Sequence, residues 1–254
     1  MHLDVVDLRA FYYRTQLGRI VQRALRHKIN AMWPDFRGQT VAGFGFAAPV
    51  LRPFLEDARR VLCLMPGQQG VMAWPENDLN RSVLVEETFW PVQTGQLDKL
   101  VVLHGLETCD NRDALLQEIW RVLGPGGRVL FIVPNRSGLW ARRDVTPFGY
   151  GQPYSVAQLE NQLKKHRFMP VRHAAALYAA PSHRRLSIKF AHFIERFSLS
   201  VPLPLAAGVV MVEATKQVYA PSQRGLGEAV RKPLEVLEGI ASPGGRPVSG
   251  RLDV

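Results

Sequence analysis

Apolar and polar positions alternate most regularly between residues 97 and 135, where they predict a strand, a helix, a turn and a second strand. The run from Leu100 to Leu103 is short and nearly continuous in apolar residues, which is typical of a strand covered on both faces. Apolar residues then recur at helical spacing, at Leu115, Leu116, Ile119, Trp120 and Leu123. A buried strand that leads into an amphipathic helix indicates part of a βαβ unit.

Glycine and proline mark the end of this helix. We expect Gly124 to adopt the left-handed conformation that caps a helix, and Pro125 cannot continue a helix because it lacks a backbone N–H. Gly126 and Gly127 then turn the chain into the apolar strand Arg128 to Val133. Because strands joined through a helix run parallel, this segment predicts the middle of a largely parallel sheet.

The pattern extends this sheet on both sides. Helical spacing over residues 4–33, interrupted near residues 15–18, predicts one or two helices that precede the sheet. Strands are predicted at residues 39–46, 60–64, 82–86, 169–178 and 209–214, and helices at residues 51–60 and 155–166, the latter with Ser155 as N-cap. The alternation predicts an α/β fold with a doubly wound, mostly parallel sheet, helices on both faces and a helical N-terminal lead-in.

Three regions follow from this order. Residues 1–38 form the lead-in, residues 39–220 the sheet domain, and residues 221–254 a tail rich in Gly, Pro and Arg. The tail has one short apolar patch, so we expect it to be flexible, with room for a short helix at residues 228–237.

Composition limits the class of protein. A chain of 254 residues with 46% hydrophobic content can bury the core of one domain. No run approaches the roughly 18 apolar residues of a membrane span, and the opening residues lack the pattern of a secretory signal, so a cytoplasmic location is expected. Cys63 and Cys109 are too few for a disulfide framework and lack metal-binding spacing, so they are predicted to be ordinary thiols, with no metal site.

The chain is basic, with a formal net charge of +10 and a sequence pI of about 10.1. A basic surface attracts anions of any kind, including phosphates, acidic lipids and RNA, and does not choose among them. Nucleic acid therefore remains an open alternative as a binding partner, although no recognition motif indicates it. The other alternative is that the basic surface is simply solvated. The pattern does not indicate an oligomeric state.

The stretch LDKLVVLHGLE, followed by LLQEIWRVLGPGGRVLFIVPN, resembles the fourth strand, following helix and fifth strand of class I S-adenosylmethionine-dependent methyltransferases. The resemblance covers roughly residues 38–220. It implies a Rossmann-like sheet, S-adenosylmethionine as cofactor, and transfer of a methyl group to an acceptor that it does not name. The candidate acceptors are anionic or aromatic, either a small molecule or an anionic macromolecule.

The same resemblance implies the cofactor site. Gly43, Phe44 and Gly45 match the glycine-rich loop after the first strand, although Ala47 stands where a third glycine is usual. An ordinary structural turn is the alternative interpretation. The acid that usually ends this strand is replaced by apolar residues, and the second strand ends at Met65 without the carboxylate that binds ribose in the family.

Acidic residues reappear after the third strand. Glu86 maps onto the family acid that meets the adenine amino group, Glu87 is its neighbour, and Phe89 and Trp90 could form an apolar wall for the base. The alternative is that the two glutamates end a strand in water and that Trp90 fills a gap in the core.

Chemistry is expected at the carboxyl ends of the strands. His104 follows the fourth strand, and it is a candidate both for contact with the cofactor and for the general base. The alternative is that its side chain hydrogen-bonds a loop carbonyl. Tyr154 is the second catalytic candidate. The long connection after the fifth strand mixes aromatic residues and arginines, so we assign substrate binding to Trp140, Arg142, Arg143, Tyr150 and Tyr154. A packed structural loop is the alternative.

Two functions therefore remain open. The first is a methyltransferase that uses S-adenosylmethionine. The second is a protein of the same fold that lacks catalysis and acts as a binding or regulatory module through its basic surface, which the missing carboxylates favour.

Overall fold

Seven strands form one sheet in the computed structural model, which describes residues 3–142, 146–178 and 207–217. The strands are β1 (Thr40–Gly45), β2 (Arg60–Pro66), β3 (Ser82–Val85), β4 (Leu97–Leu103), β5 (Leu123–Pro134), β6 (Phe168–Ala176) and β7 (Val209–Lys216). Their spatial order is β3-β2-β1-β4-β5-β7-β6. The first five pair in parallel, whereas β7 is antiparallel to β5 and to β6. The prediction of a doubly wound, mostly parallel sheet is confirmed.

Helices connect the strands and precede them. They are α1 (Val5–Arg9), α2 (Gln16–Met32), α3 (Ala48–Leu51), α4 (Arg112–Val122) and α5 (Val156–Lys165). A π-helical turn, Ala10–Arg14, joins α1 to α2, and the Thr15 hydroxyl then caps α2 by accepting from the backbone N–H of Gly18. The helical lead-in and its interruption are therefore confirmed, as is Ser155 as the N-cap of α5.

Two apolar cores flank the sheet because successive strand residues point to opposite faces. On one side, here called the α2 face, α2 buries Leu17, Val21, Leu25 and Ile29. On the other side, the α4 face, α4 and α5 bury Leu115, Leu116, Ile119, Leu159 and Leu163. Each such fully buried side chain stabilises the fold by about 1.5–3 kcal/mol.

The helix predicted at residues 51–60 is wrong. α3 ends at Leu51, and a 3₁₀ turn, Arg52–Leu55, follows it. Pro53 explains the difference, because its nitrogen cannot donate an α-helical hydrogen bond and its ring clashes with the preceding turn. The connection from β1 to β2 is therefore short and irregular.

The predicted role of Gly124 is also wrong. α4 ends at Val122, and Leu123 is already extended and pairs with Leu97, so β5 begins without a separate cap. The left-handed residue is Gly126, with φ of 72°. Gly124 is instead pressed against the backbone of Gly95, where an added Cβ would lie 3.0 Å from the carbonyl oxygen.

Other predictions have different outcomes. Cys63 and Cys109 are free buried thiols. Within residues 3–142, 146–178 and 207–217, no helix is both long and apolar enough to cross a membrane, and no three His, Cys, Asp or Glu side chains are grouped to hold a metal ion. The tail at residues 221–254 and its short helix lie outside the described residues and stay predictions.

Candidate active site

The carboxyl ends of β1 and β4 lie side by side in the middle of the sheet. Gly45 ends β1 with φ of 77°, and a Cβ there would lie 2.4 Å from the carbonyl oxygen of Leu103, so only glycine allows this approach. His104, which follows β4, also has a positive φ, 52°. Backbone strain of this kind collects at functional sites, and doubly wound sheets bind ligands at this end of the strands.

Three side chains meet at these strand ends. Tyr12 comes from the π-helical turn, and its hydroxyl oxygen lies 2.8 Å from Nε2 of His104. Nδ1 of the same imidazole lies 3.2 Å from Oε1 of Glu107. All three are buried, with exposed fractions of 0% for His104 and 1% for Glu107. We call this group the Tyr12–His104–Glu107 cluster.

Protonation within the cluster follows from burial. Burial raises the pKa of Tyr12 well above its usual value, and the negative charge of Glu107 acts in the same direction. The hydroxyl therefore stays protonated and donates to Nε2, which leaves the imidazole proton on Nδ1, facing Glu107. An imidazole that lies beside a carboxylate on one side, with its other nitrogen able to accept a proton, can act as a general base.

Several acceptor atoms of this region lack a donor. Both carboxylate oxygens of Glu107 are buried and accept no hydrogen bond from the described residues, because Nδ1 of His104 is poorly aligned with them. Oε1 of Gln69 is also buried and accepts no hydrogen bond from the described residues, whereas Nε2 of the same side chain donates to the carbonyl oxygen of His104. A buried carboxylate without donors destabilises a fold by roughly 1–3 kcal/mol or more. The cluster therefore has the electrostatics of a site for a cationic group.

Aromatic rings fill the space around the cluster. The rings of Tyr12 and Phe46 are stacked with centroids 5.7 Å apart, and the ring of Phe148 lies 4.7 Å from that of His104. Trp140 contacts Phe148 edge to face at 5.7 Å. The side chains of this group are buried, so the strand ends are covered on the α2 face.

The residues predicted for the glycine-rich loop lie at these strand ends but face different ways. Gly43 lies against α3, where an added Cβ would be 2.5 Å from Cβ of Ala47. Phe44 points to the α4 face and stacks on Trp90 at 4.7 Å. Met65 is buried on the α2 face, and its sulfur accepts from the backbone N–H of Met72 at 3.5 Å.

The two glutamates after β3 separate in the structure. Glu86 is exposed and forms an isolated antiparallel bridge with Phe89, whose side chain is 72% exposed. Glu87 turns towards the segment after β4, where Oε2 accepts from the backbone N–H of Asp110 at 3.3 Å. Trp90 fills a gap in the core of the α4 face, which is the alternative that the sequence left open.

The predicted substrate residues are divided between the two faces. Trp140 is buried in the core of the α2 face, Tyr150 packs against that core, and Arg142 is exposed. Tyr154 belongs to the core of the α4 face, where burial raises its pKa to about 12, opposed by Arg112. Arg143 lies outside the described residues. The structure thus brings Phe148 to His104, places Trp140 against Phe148, and places Tyr154 in the other core.

Tyr12 is the residue that sequence reasoning missed. It lay within the apolar stripe of the lead-in, and nothing in that local pattern distinguishes a tyrosine that packs from one whose hydroxyl bonds a histidine. The only signal was the interruption of the helix near Thr15, which coincides with the π-helical turn that holds it. Such turns occur often at functional sites.

A comparison with protein families supplies the remaining observation. A family model described as "Methyltransferase domain" matches residues 42–131, from β1 into β5, and the match includes Gly43, Gly45, His104 and Glu107. This part of the chain is therefore similar to methyltransferase domains, in agreement with the resemblance seen in the sequence. A comparison with curated proteins finds no match.

Solved structures of methyltransferases share the fold of this chain. A complex of the Haloferax volcanii Trm112 methyltransferase activator with a putative methyltransferase is similar, with a TM-score of 0.59, 14% identity, and coverage of 84% of this chain and 97% of that one. A Thermotoga maritima structure described as a possible histamine N-methyltransferase has a TM-score of 0.55 at 12% identity, covering 79% and 91%. Geranyl diphosphate C-methyltransferase from Streptomyces coelicolor, bound to S-adenosyl-L-homocysteine, has a TM-score of 0.53 at 15% identity, covering 77% and 78%.

The methyltransferase cofactor carries positive charge on its sulfonium and amino groups, and these suit the acceptors that lack donors, the carboxylate of Glu107 and Oε1 of Gln69. The chemistry of the cluster therefore fits S-adenosylmethionine. The ring of Tyr12, stacked on Phe46, lies next to the imidazole of His104.

Proposed function

We propose that this protein is a methyltransferase for a small aromatic or anionic acceptor, with Glu107 and Gln69 binding the cationic part of the cofactor. The observation that carries the proposal is the carboxylate of Glu107, buried beside His104 without a hydrogen-bond donor among the described residues. Such a group persists in a fold when a bound ligand neutralises it.

His104 has the second role in the proposal. The bound cofactor supplies the methyl group. His104 takes up the proton that the acceptor loses, at Nε2, and Glu107 stabilises the resulting imidazolium through Nδ1. The ring of Phe148, 4.7 Å from the imidazole, supports an aromatic acceptor at this place.

Tyr12 controls access in this scheme. Its hydroxyl occupies Nε2 of His104, so the base is free to accept a proton only when the π-helical turn withdraws. A protein that binds ligand only in a minor open form has a reduced apparent affinity. Removing the Tyr12 ring should therefore strengthen cofactor binding.

The test is calorimetric titration of the full chain with S-adenosylmethionine and S-adenosylhomocysteine. Glu107→Gln should weaken binding by about tenfold or more, because a buried charge pair is lost. Tyr12→Ala should strengthen it by about tenfold, and Glu56→Gln, a change at an exposed acid, should have no effect. Unfolding curves for each variant show whether it is folded.

The same titration tests a second function. A binding module without catalysis is the alternative, which the stacked rings of Tyr12 and Phe46 beside His104 favour. No heat at about millimolar ligand, in both the wild type and a folded Tyr12→Ala variant, would overturn the methyltransferase proposal and leave this module as the function.

A further inference from the structure

A cavity of about 450 Å³ lies next to the π-helical turn, whose Tyr13 and Arg14 belong to its lining. Its wall includes Arg9, Tyr13 and Arg14 from the first helical turns, Arg26 from α2, and Arg52 after α3. The segment Met72–Glu76, which follows β2, completes the wall. None of these residues takes part in the Tyr12–His104–Glu107 cluster, so the cavity is a separate feature.

Positive charge dominates the lining. Four arginines face one carboxylate, that of Glu76, and no ion pair joins Glu76 to any of the four within the described part of the chain. Arg26 is held in place because its Nε donates to the carbonyl oxygen of Pro49 at 2.7 Å. Burial lowers the pKa of Arg26, and the nearby charge of Arg52 acts in the same direction. An anion between these two side chains would remove this repulsion.

An unused hydrogen-bond donor points to the same class of ligand. Gln22 belongs to the lining, and its Nε2 is buried beneath the cavity surface with no acceptor among the described residues. Buried donors are rarely left unpaired in proteins. An oxygen-rich anion would satisfy this amide together with the arginines.

The aromatic wall and the rigidity of the cavity favour a small molecule. Tyr13 is partly exposed and Trp74 is mostly buried, and both line the space. The Trp74 segment is fixed because its backbone N–H donates to Oδ1 of Asn80 at 3.1 Å, and the Ser82 hydroxyl donates to the carbonyl oxygen of Met72 at 2.5 Å. A concave space of this volume suits a small ligand rather than a flat macromolecular surface.

We propose that this cavity is a binding site for a small phosphorylated molecule, whose phosphate oxygens contact Arg26, Arg52 and Gln22 and whose organic part lies between Tyr13 and Trp74. Guanidinium groups bind phosphate oxygens in pairs, which makes arginine the suited residue here. The inference does not depend on methyl transfer, since it rests on a different cavity.

The experiment is titration calorimetry of the full chain with sodium pyrophosphate at about 0.15 M salt, where surface charges are largely screened. We expect one ion bound per chain. Arg52→Gln should weaken binding by about tenfold, because it removes one charge-assisted contact to the anion. The fold should be unaffected, because the Arg52 side chain is exposed and makes no hydrogen bond among the described residues. Arg23→Gln is the matched control, because Arg23 is exposed on the same helix as Arg26 but does not line the cavity.

A second variant changes binding in the opposite direction. Glu76→Gln removes the carboxylate of the lining and should tighten binding several-fold.

Trp74 fluorescence gives an independent measurement of binding. The fluorescence should change when pyrophosphate is added to the wild type and should not change in Trp74→Phe. The proposal is overturned if pyrophosphate does not bind, if Arg23→Gln weakens binding as much as Arg52→Gln, or if several ions bind per chain and a short RNA displaces them all.

Discussion

Two buried carboxylates, those of Glu213 and Glu107, have opposite surroundings. Glu213 on β7 is fully buried, and its oxygens accept from Nε1 of Trp33 at 2.9 Å, Nη1 of Arg128 at 2.9 Å and Nε of Arg172 at 2.6 Å. Glu107 is equally buried but accepts no hydrogen bond from the described residues. The comparison separates a carboxylate that links elements of the fold from one that is prepared for a ligand.

The first prediction concerns the satisfied carboxylate and has the largest effect. Glu213→Gln should lower the free energy of unfolding by about 3 kcal/mol, because Arg128 and Arg172 would then face an amide in place of their counter-charge. Urea unfolding followed by circular dichroism measures this change. A loss below that of the exposed-site variant Glu56→Gln, which should be within about 0.5 kcal/mol of zero, would show that Glu213 does not link the elements.

The second prediction uses pH at the same residue. Burial would raise the pKa of Glu213, but hydrogen bonds from Arg172, Trp33 and Arg128 outweigh it and hold the pKa below its usual 4.5. Folding therefore favours the ionised form, and its contribution is complete above pH 4.5 and is lost as the pH falls below that value. Unfolding curves between pH 6 and 3 should show a steeper loss in wild type than in Glu213→Gln. Parallel losses in the two proteins would contradict the assignment.

The third prediction applies the same substitution to the other carboxylate. Glu107→Gln should raise the free energy of unfolding by about 1.5 kcal/mol, because it removes a buried charge that has no donor. The same variant should bind S-adenosylmethionine more weakly, so stability and binding should move in opposite directions. If the variant loses stability as Glu213→Gln does, the two carboxylates do not differ in role.

The smallest expected effect is at Tyr12. Tyr12→Phe removes the hydrogen bond to Nε2 of His104 and keeps the ring, which should lower the free energy of unfolding by about 0.5–1 kcal/mol. Tyr13→Phe, on the next residue, should have almost no effect because the Tyr13 side chain is partly exposed. Equal effects in the two variants would indicate that the Tyr12 hydroxyl makes no specific contact.

The predictability of these regions from the sequence differs for a physical reason. The segment from β4 to β5 could be predicted because its apolar positions and turn residues all lie within about 40 residues and agree with one another. The end of α4 was wrong in detail, since Gly124 serves a close backbone contact instead of a cap. The prediction of a long helix after β1 was wrong because the apolar pattern continues past Pro53, which interrupts α-helical hydrogen bonding.

The site could be predicted only in part. His104 and Gly45 could be predicted as site residues because they lie at the carboxyl ends of predicted strands, where doubly wound sheets bind ligands. The structure places both at the same strand ends. Tyr12 could not be predicted, because it bonds a residue 92 positions away and only the folded chain brings them together. The convergence of the cavity arginines could not be predicted, because it depends on how α2, α3 and the segment after β2 pack.

The order of strands has a consequence for synthesis on the ribosome. β6 precedes β7 in the chain, yet β6 pairs only with β7 among the described strands, and β7 alone joins it to β5. The nascent chain must therefore leave β6 and the edge of β5 without a strand partner until residues 209–216 have left the exit tunnel. An open strand edge invites pairing with other chains, so this interval is the stage of biogenesis at which the protein is most exposed to aggregation and to chaperones.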